Sequence, residues 1–128
     1  MKFRFSQIKV ALFAAIVLLT PLSAQAAQPF TQAAFSQAQE AGKSILVDVS
    51  APWCPTCAKQ APIIQGLESA HPDLVVFEVD FDSAKDVLRQ FKVQYQSTLI
   101  SFKGKAEVAR STGESNPDAI AAQVAKSF

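Results

Sequence analysis

The chain has 128 residues, the length of a single domain, with 12 basic and 11 acidic side chains and a net charge of +1. So even a balance leaves no electrostatic footprint for nucleic acid or for an anionic membrane surface. Hydrophobic residues make up 49% of the chain, and part of that excess sits at one end.

That end is the N-terminus. "MKFRFSQIK" carries Lys2, Arg4 and Lys9 and no acid, an uncharged apolar run follows from Val10 to Leu19, and small residues stand at Ala24 and Ala26. This is the order of a secretory signal peptide, with cleavage expected after Ala26. The apolar run is short for a membrane span, which needs about 20 residues, and it lacks the amphipathic pattern of a core helix; an uncleaved N-terminal anchor is the alternative. Residues 1–26 are therefore read as a signal segment and residues 27–128 as the mature domain. Lys2, Arg4 and Lys9 leave with the signal while all acids stay, so the balance turns from +1 to −2. Export, to a bacterial periplasm or beyond the cell, places the cysteines where disulfides persist.

"PFTQAAFSQAQEAG" sets Phe30, Ala34, Ala38 and Ala41 at helical spacing and stops at Gly42. "SILVDVS" is a short apolar run rich in branched residues and reads as a buried strand. A helix is expected from Cys54 to about Ala70, interrupted by Pro62, and "DLVVFEVD" reads as a second buried strand. "SAKDVLRQF" opens with Ser83 and carries Asp86 three residues on, close to a capping box; Ala84, Val87, Leu88 and Phe91 form its apolar stripe. "STLISF", a "KGK" turn and "AEVARS" predict a hairpin. Asn116-Pro117 then starts a last helix, with Ile120 and Val124 on its inner face. Strands joined by helices imply a mixed sheet with parallel pairs, closed by an antiparallel hairpin at the edge. Phe30, Phe35, Phe77, Phe81, Phe91 and Phe102 are expected in the core, and the charges of the 83–92 helix on a solvated face.

The two cysteines of the chain, Cys54 and Cys57, lie three residues apart in "SAPWCPTCAKQAP". A structural bridge closing so short a loop would restrict the unfolded chain by only roughly 2 kcal/mol. A structural zinc site wants four ligands, and His71, in a helix-to-strand loop, is the single histidine. A redox dithiol remains. Disulfide exchange needs an accessible thiolate with a resolving thiol behind it. Cys54 at a helix start would gain from free backbone N–H groups and the positive end of the dipole, Pro55 suits the first turn, and Cys57 would lie one turn in and more buried.

"ILVDVSAPWCPTCAKQAP" resembles the active-site segment of the thioredoxin family, and the likeness extends over nearly all of the mature chain. Asp48 falls where thioredoxins carry a buried aspartate beneath the dithiol. Trp53 matches the tryptophan before the first cysteine, and Pro62 the proline that bends the active-site helix. "FEVDFD" is similar to the second central strand, "STLISFKGK" to the strand that opens with P-T, and Gly113 to a late loop glycine. The resemblance implies a thioredoxin fold, an α/β architecture with a central mixed sheet flanked by helices. It also implies a thiol–disulfide oxidoreductase acting on protein disulfides, a monomer, with no cofactor beyond the Cys54–Cys57 disulfide and a membrane thiol as electron donor. Cys54 would attack the substrate, Cys57 would resolve the mixed disulfide, and Asp48 would take the Cys57 proton through water. Trp53, Pro55, Thr56, Gln96, Ser97 and Thr98 would meet the substrate. Disulfide oxidases of the family often carry a histidine beside the second cysteine; Thr56 offers only a neutral hydrogen bond, so the reducing direction is preferred.

One departure stands out. The family has a cis-proline before the threonine of "PTL"; here the residue is Ser97. A cis bond before a non-proline costs about 2.5–4 kcal/mol, so a trans Gln96–Ser97 bond and a rearranged loop are expected. The lost ring would also open space beside the sulfurs. Since soft thiolates select copper(I), a copper carrier or maturation factor using the same two thiols is the alternative function.

Overall fold

The computed structural model describes residues 26–128, and all of the expected signal segment but Ala26 lies outside the described residues. β2 (Ser44–Ser50) and β3 (Leu74–Asp80) run parallel in the middle of the sheet, with Asp48 beside Glu78 in the register. Both are largely apolar because both faces of the sheet are covered. β4 (Thr98–Lys103) lies antiparallel on the other side of β2 and pairs with β5 (Ala106–Thr112). A two-residue strand, β1 (Gln28–Pro29), adds parallel to β3, giving the order β1-β3-β2-β4-β5.

Alternation along the strands divides the core in two. Ile45, Val47, Val49, Phe77 and Ile100 pack with Phe35 of α1 (Gln32–Glu40) and Leu88 of α3 (Lys85–Gln90). Phe30, Phe35, Phe77, Phe91 and Phe102 meet there in tilted and edge-on ring pairs 5.3–5.9 Å apart. On the other face, Leu46, Leu74, Val76 and Leu99 pack with Ile64 of α2 (Pro55–Ala70) and with Ile120 and Val124 of α4 (Pro117–Ala125). Asp48 and Glu78 follow the parity of Leu46 and Val76, so they fall on the α2 side.

Local signals set most element ends. Thr31 caps α1 through Ala34 N, Gly42 ends that helix at φ +68°, and Asn116 caps α4 through Asp118 N and Ala119 N. Four expectations are corrected. Phe30 precedes the α1 cap instead of lying in the helix. Ser83 does not cap α3: its amide and that of Asp82 go to Asp80 Oδ1 at 3.0 and 2.7 Å, so the helix starts at Lys85 without a side-chain cap. β1 was not expected, since two residues including a proline carry no strand pattern. Antiparallel pairing also reaches inward, to β2–β4. The register sets where the chain re-enters: Ser50 of β2 lies beside Asp80 and Val49 beside Thr98, so β4 begins at the sheet end where β3 stopped.

Candidate active site

The end of β2 delivers the chain to the start of α2, and the two cysteines sit at that junction. Cys54 is the N-cap residue, with extended backbone, Pro55 follows at the first helical position, and Cys57 lies one turn in. The two form a disulfide with their Cα atoms 5.3 Å apart, within the ordinary range for a bridge. Cys54 Sγ also accepts a 3.1 Å hydrogen bond from Cys57 N. That free amide of the first turn, with the helix dipole behind it, would favour a thiolate on Cys54 once the bridge opens.

The expected contrast in exposure is absent. Cys54 is 3% exposed and Cys57 8%. In this disulfide form neither cysteine stands out. Trp53 does, at 57%. Its Nε1 donates to Asp82 Oδ2 at 2.9 Å, and its ring meets Phe81 edge-on at 6.5 Å. It presents an apolar face to solvent beside the disulfide. Pro55 is exposed and Thr56 half-buried on the same turn.

Beneath the disulfide is a cleft of about 500 Å³ lined by Cys54, Cys57, Asp48, Glu78, Asp80 and Pro29, among others. Asp48 is buried, and its Oδ1 has no hydrogen-bond partner. Burial first, then the neighbouring Glu78 and Glu68, raise its carboxyl from the usual 3.8 to about 7. Glu68, buried on α2, is also pushed up by burial and by Glu78. A carboxyl that exchanges its proton near neutrality, in the same cleft as the resolving sulfur, is suited to proton transfer.

The Gln96–Thr98 loop stands apart from this cleft; none of Gln96, Ser97 and Thr98 lines it. The Gln96–Ser97 bond is trans, as expected, and the rearrangement appears as a left-handed Ser97 at φ +56°. Ser97 is buried and turns its hydroxyl back onto the Gln96 carbonyl at 2.6 Å. Its own carbonyl accepts from Gly113 N at 3.0 Å and from Gln60 Nε2 at 3.2 Å. Gly113, at φ +74°, adopts there a conformation that favours glycine. Thr98 Oγ1 donates to the Tyr95 carbonyl at 2.7 Å, and Tyr95 itself is 64% exposed. Among the described residues, no group of three His, Cys, Asp or Glu is gathered to hold a metal ion.

A family model described as thioredoxin matches residues 26–126. The chain belongs to the thioredoxin family. A thioredoxin H-type of Brassica campestris is 38% identical over 76 residues, 59% of this chain and 62% of that relative, so the match spans less than two thirds of the relative's length. The thioredoxin of Alicyclobacillus acidocaldarius is 35% identical over 101 residues, covering 78% of this chain and 96% of its own. Among solved structures, Trxlp from Edwardsiella tarda shares 44% identity at a TM-score of 0.74, over 77% of this chain and 98% of that one.

Within this thioredoxin fold, the sequence reading missed Gln60, Glu68, Glu78 and Asp82. Glu78 was findable, as an acid set between the buried Phe77 and Val79 in an otherwise apolar run. Gln60, fully buried, lies three residues past Cys57 with nothing to mark it as internal. Asp82 is set against Trp53 only by the turn that follows β3.

Proposed function

We propose that the protein is an exported thiol–disulfide oxidoreductase that reduces disulfides in other proteins of its compartment. The observation that carries this is the Cys54–Cys57 disulfide across the first turn of α2, with Cys54 Sγ held by Cys57 N. In the reduced form the Cys54 thiolate attacks one sulfur of a substrate disulfide, and the other substrate sulfur leaves as a thiolate. Cys57 loses its proton to Asp48 through water and attacks Cys54 Sγ. The second substrate thiolate departs; the substrate disulfide has then gained two electrons, and this protein, having lost them, holds the Cys54–Cys57 disulfide. A membrane thiol donor returns the pair. Trp53, Pro55 and Thr56 offer the docking surface. The signal segment supports a periplasmic or secreted site of action, either free or tethered by an uncleaved signal, and the domain acts as a monomer.

Insulin reduction driven by dithiothreitol tests the reading: activity is expected, and Cys54→Ser abolishes it. Equilibration with dithiol buffers sets the direction. A potential near the roughly −270 mV of thioredoxin supports a reductant, and one near about −120 mV an oxidant. Tight stoichiometric copper(I) binding with no insulin reduction would move the function to a metal carrier.

A further inference from the structure

A second cleft, of about 240 Å³, opens on the far side of Asp48 and is lined by Ala26, Ala27, Asp48, Glu68, Glu78 and Ile64, among others. Asp48, Glu78 and Ala61 line both clefts, so the buried carboxyl forms part of the wall between them. The carboxyls come from three elements: Asp48 from β2, Glu78 beside it on β3, and Glu68 from α2. Asp80, also on β3, faces the disulfide cleft. No Lys, Arg or His among the described residues lines either cleft, and neither described salt bridge involves these acids. Asp48 and Glu68 are each 8% exposed, and each keeps one buried oxygen without a hydrogen-bond partner. Such oxygens are costly unless something pairs with them.

The chain itself brings the complement to this place. Ala27 follows the expected cleavage point and is held there. β1 pairs with β3 through Gln28–Phe77 and Pro29–Glu78, Phe30 N donates to the Glu78 carbonyl at 2.8 Å, and Ala27 packs against the Leu46–Ile64 core. Before cleavage the Ala27 nitrogen is a neutral amide. After cleavage it is an α-ammonium, charged near neutral pH. We propose that the cleft lined by Asp48, Glu68 and Glu78 is a binding site for the α-ammonium of Ala27, so that removal of the signal segment installs a cation beside the buried Asp48 and Glu68 carboxyls and the exposed Glu78. This rests on the exported reading above. Hydrolysis of the Ala26–Ala27 peptide bond by the signal-processing protease adds water across it, leaving a carboxylate on Ala26 and the amine on Ala27. The amine takes up a proton and pairs with the carboxyls. Asp48, otherwise half-ionised near pH 7, then becomes a resident carboxylate ready to receive the Cys57 proton. Maturation would thus set the protonation state of the active-site acid.

The test begins with the full chain expressed in an exporting host and the processed protein recovered from it. Intact mass and N-terminal sequencing locate the cut. The Asp48 carboxyl is then titrated by carbon-13 NMR in the processed protein and in the same protein after selective acetylation of its N-terminal amine. Asp48→Asn assigns the resonance. An N-terminus at Ala27, with the Asp48 midpoint roughly 1–3 units lower in the free-amine form, supports the site. Equal midpoints in the two forms overturn it, and so does an N-terminus anywhere other than Ala27. Insulin reduction is read on the same samples; its absence would count against the proposed function while leaving the pairing result to stand.

Discussion

Gln60 reaches out of the active-site helix to the carbonyl of Ser97, and the same amide nitrogen also donates to Glu114 O at 2.8 Å. The side chain is wholly buried, so it ties α2 to the loop before β4 and the loop after β5. Gln60→Leu leaves both carbonyls without that donor. A loss of about 1–3 kcal/mol is expected in urea unfolding, together with faster amide exchange across 95–98 and 113–116.

Ser97 holds a left-handed backbone that side chains avoid. Ser97→Gly should therefore raise stability by about 1 kcal/mol, less whatever the lost hydroxyl bond to Gln96 contributed. Ser97→Pro should do the opposite, because proline fixes φ near −65° and the present loop cannot accept it. Thermal unfolding of the two variants beside the parent reads both signs.

Asp48 makes stability depend on pH in a defined direction. Its folded value of about 7 lies above the ordinary 3.8, so between those values the folded chain holds a proton that the unfolded chain has released. Stability from this group is full below pH 4 and is lost as pH rises through 7, by about 4 kcal/mol at most. Asp48→Asn removes that fall. The difference between parent and variant in urea midpoints at pH 4.5 and 7.5 isolates it, and the fall is expected to be steeper in N-acetylated protein than in protein with a free Ala27 amine.

Cys57→Ser should leave Cys54 able to attack but unable to be released. Incubated in reduced form with an exported disulfide protein, this variant should accumulate a mixed disulfide that survives acid quenching and disappears with dithiothreitol. Turnover in the insulin assay should be lost. If the adduct instead formed in Cys54→Ser, the order of attack would be reversed.

Sequence pattern carried the elements whose cause is local. The branched run 44–50, the Asn116-Pro117 helix start and the Gly42 stop all appear where their chemistry places them. The CxxC segment was readable because its function depends on a helix start that the neighbouring residues announce. What stayed hidden depends on partners remote in sequence. β1 exists only because β3 offers an edge. Ser83 looked like a cap until Asp80 claimed its amide. Cys54 was expected to be more exposed than Cys57, whereas both are buried in the disulfide form. The acids around Asp48 come together from three elements, and no spacing along the chain shows their meeting.

The far end of the chain is fastened as well. Ser44 Oγ donates to the Ser127 carbonyl at 2.6 Å, Lys103 Nζ reaches the Phe128 carbonyl, and the Phe128 ring lies 4.8 Å from that of His71. An affinity tag or fluorophore fused after residue 128 would therefore pull on a seated strap instead of a loose tail, and one placed ahead of Ala27 would occupy the acidic cleft. An attachment point that leaves the disulfide clear is Lys105, solvent-exposed in the β4–β5 turn, two residues past the Lys103 that holds the Phe128 carbonyl.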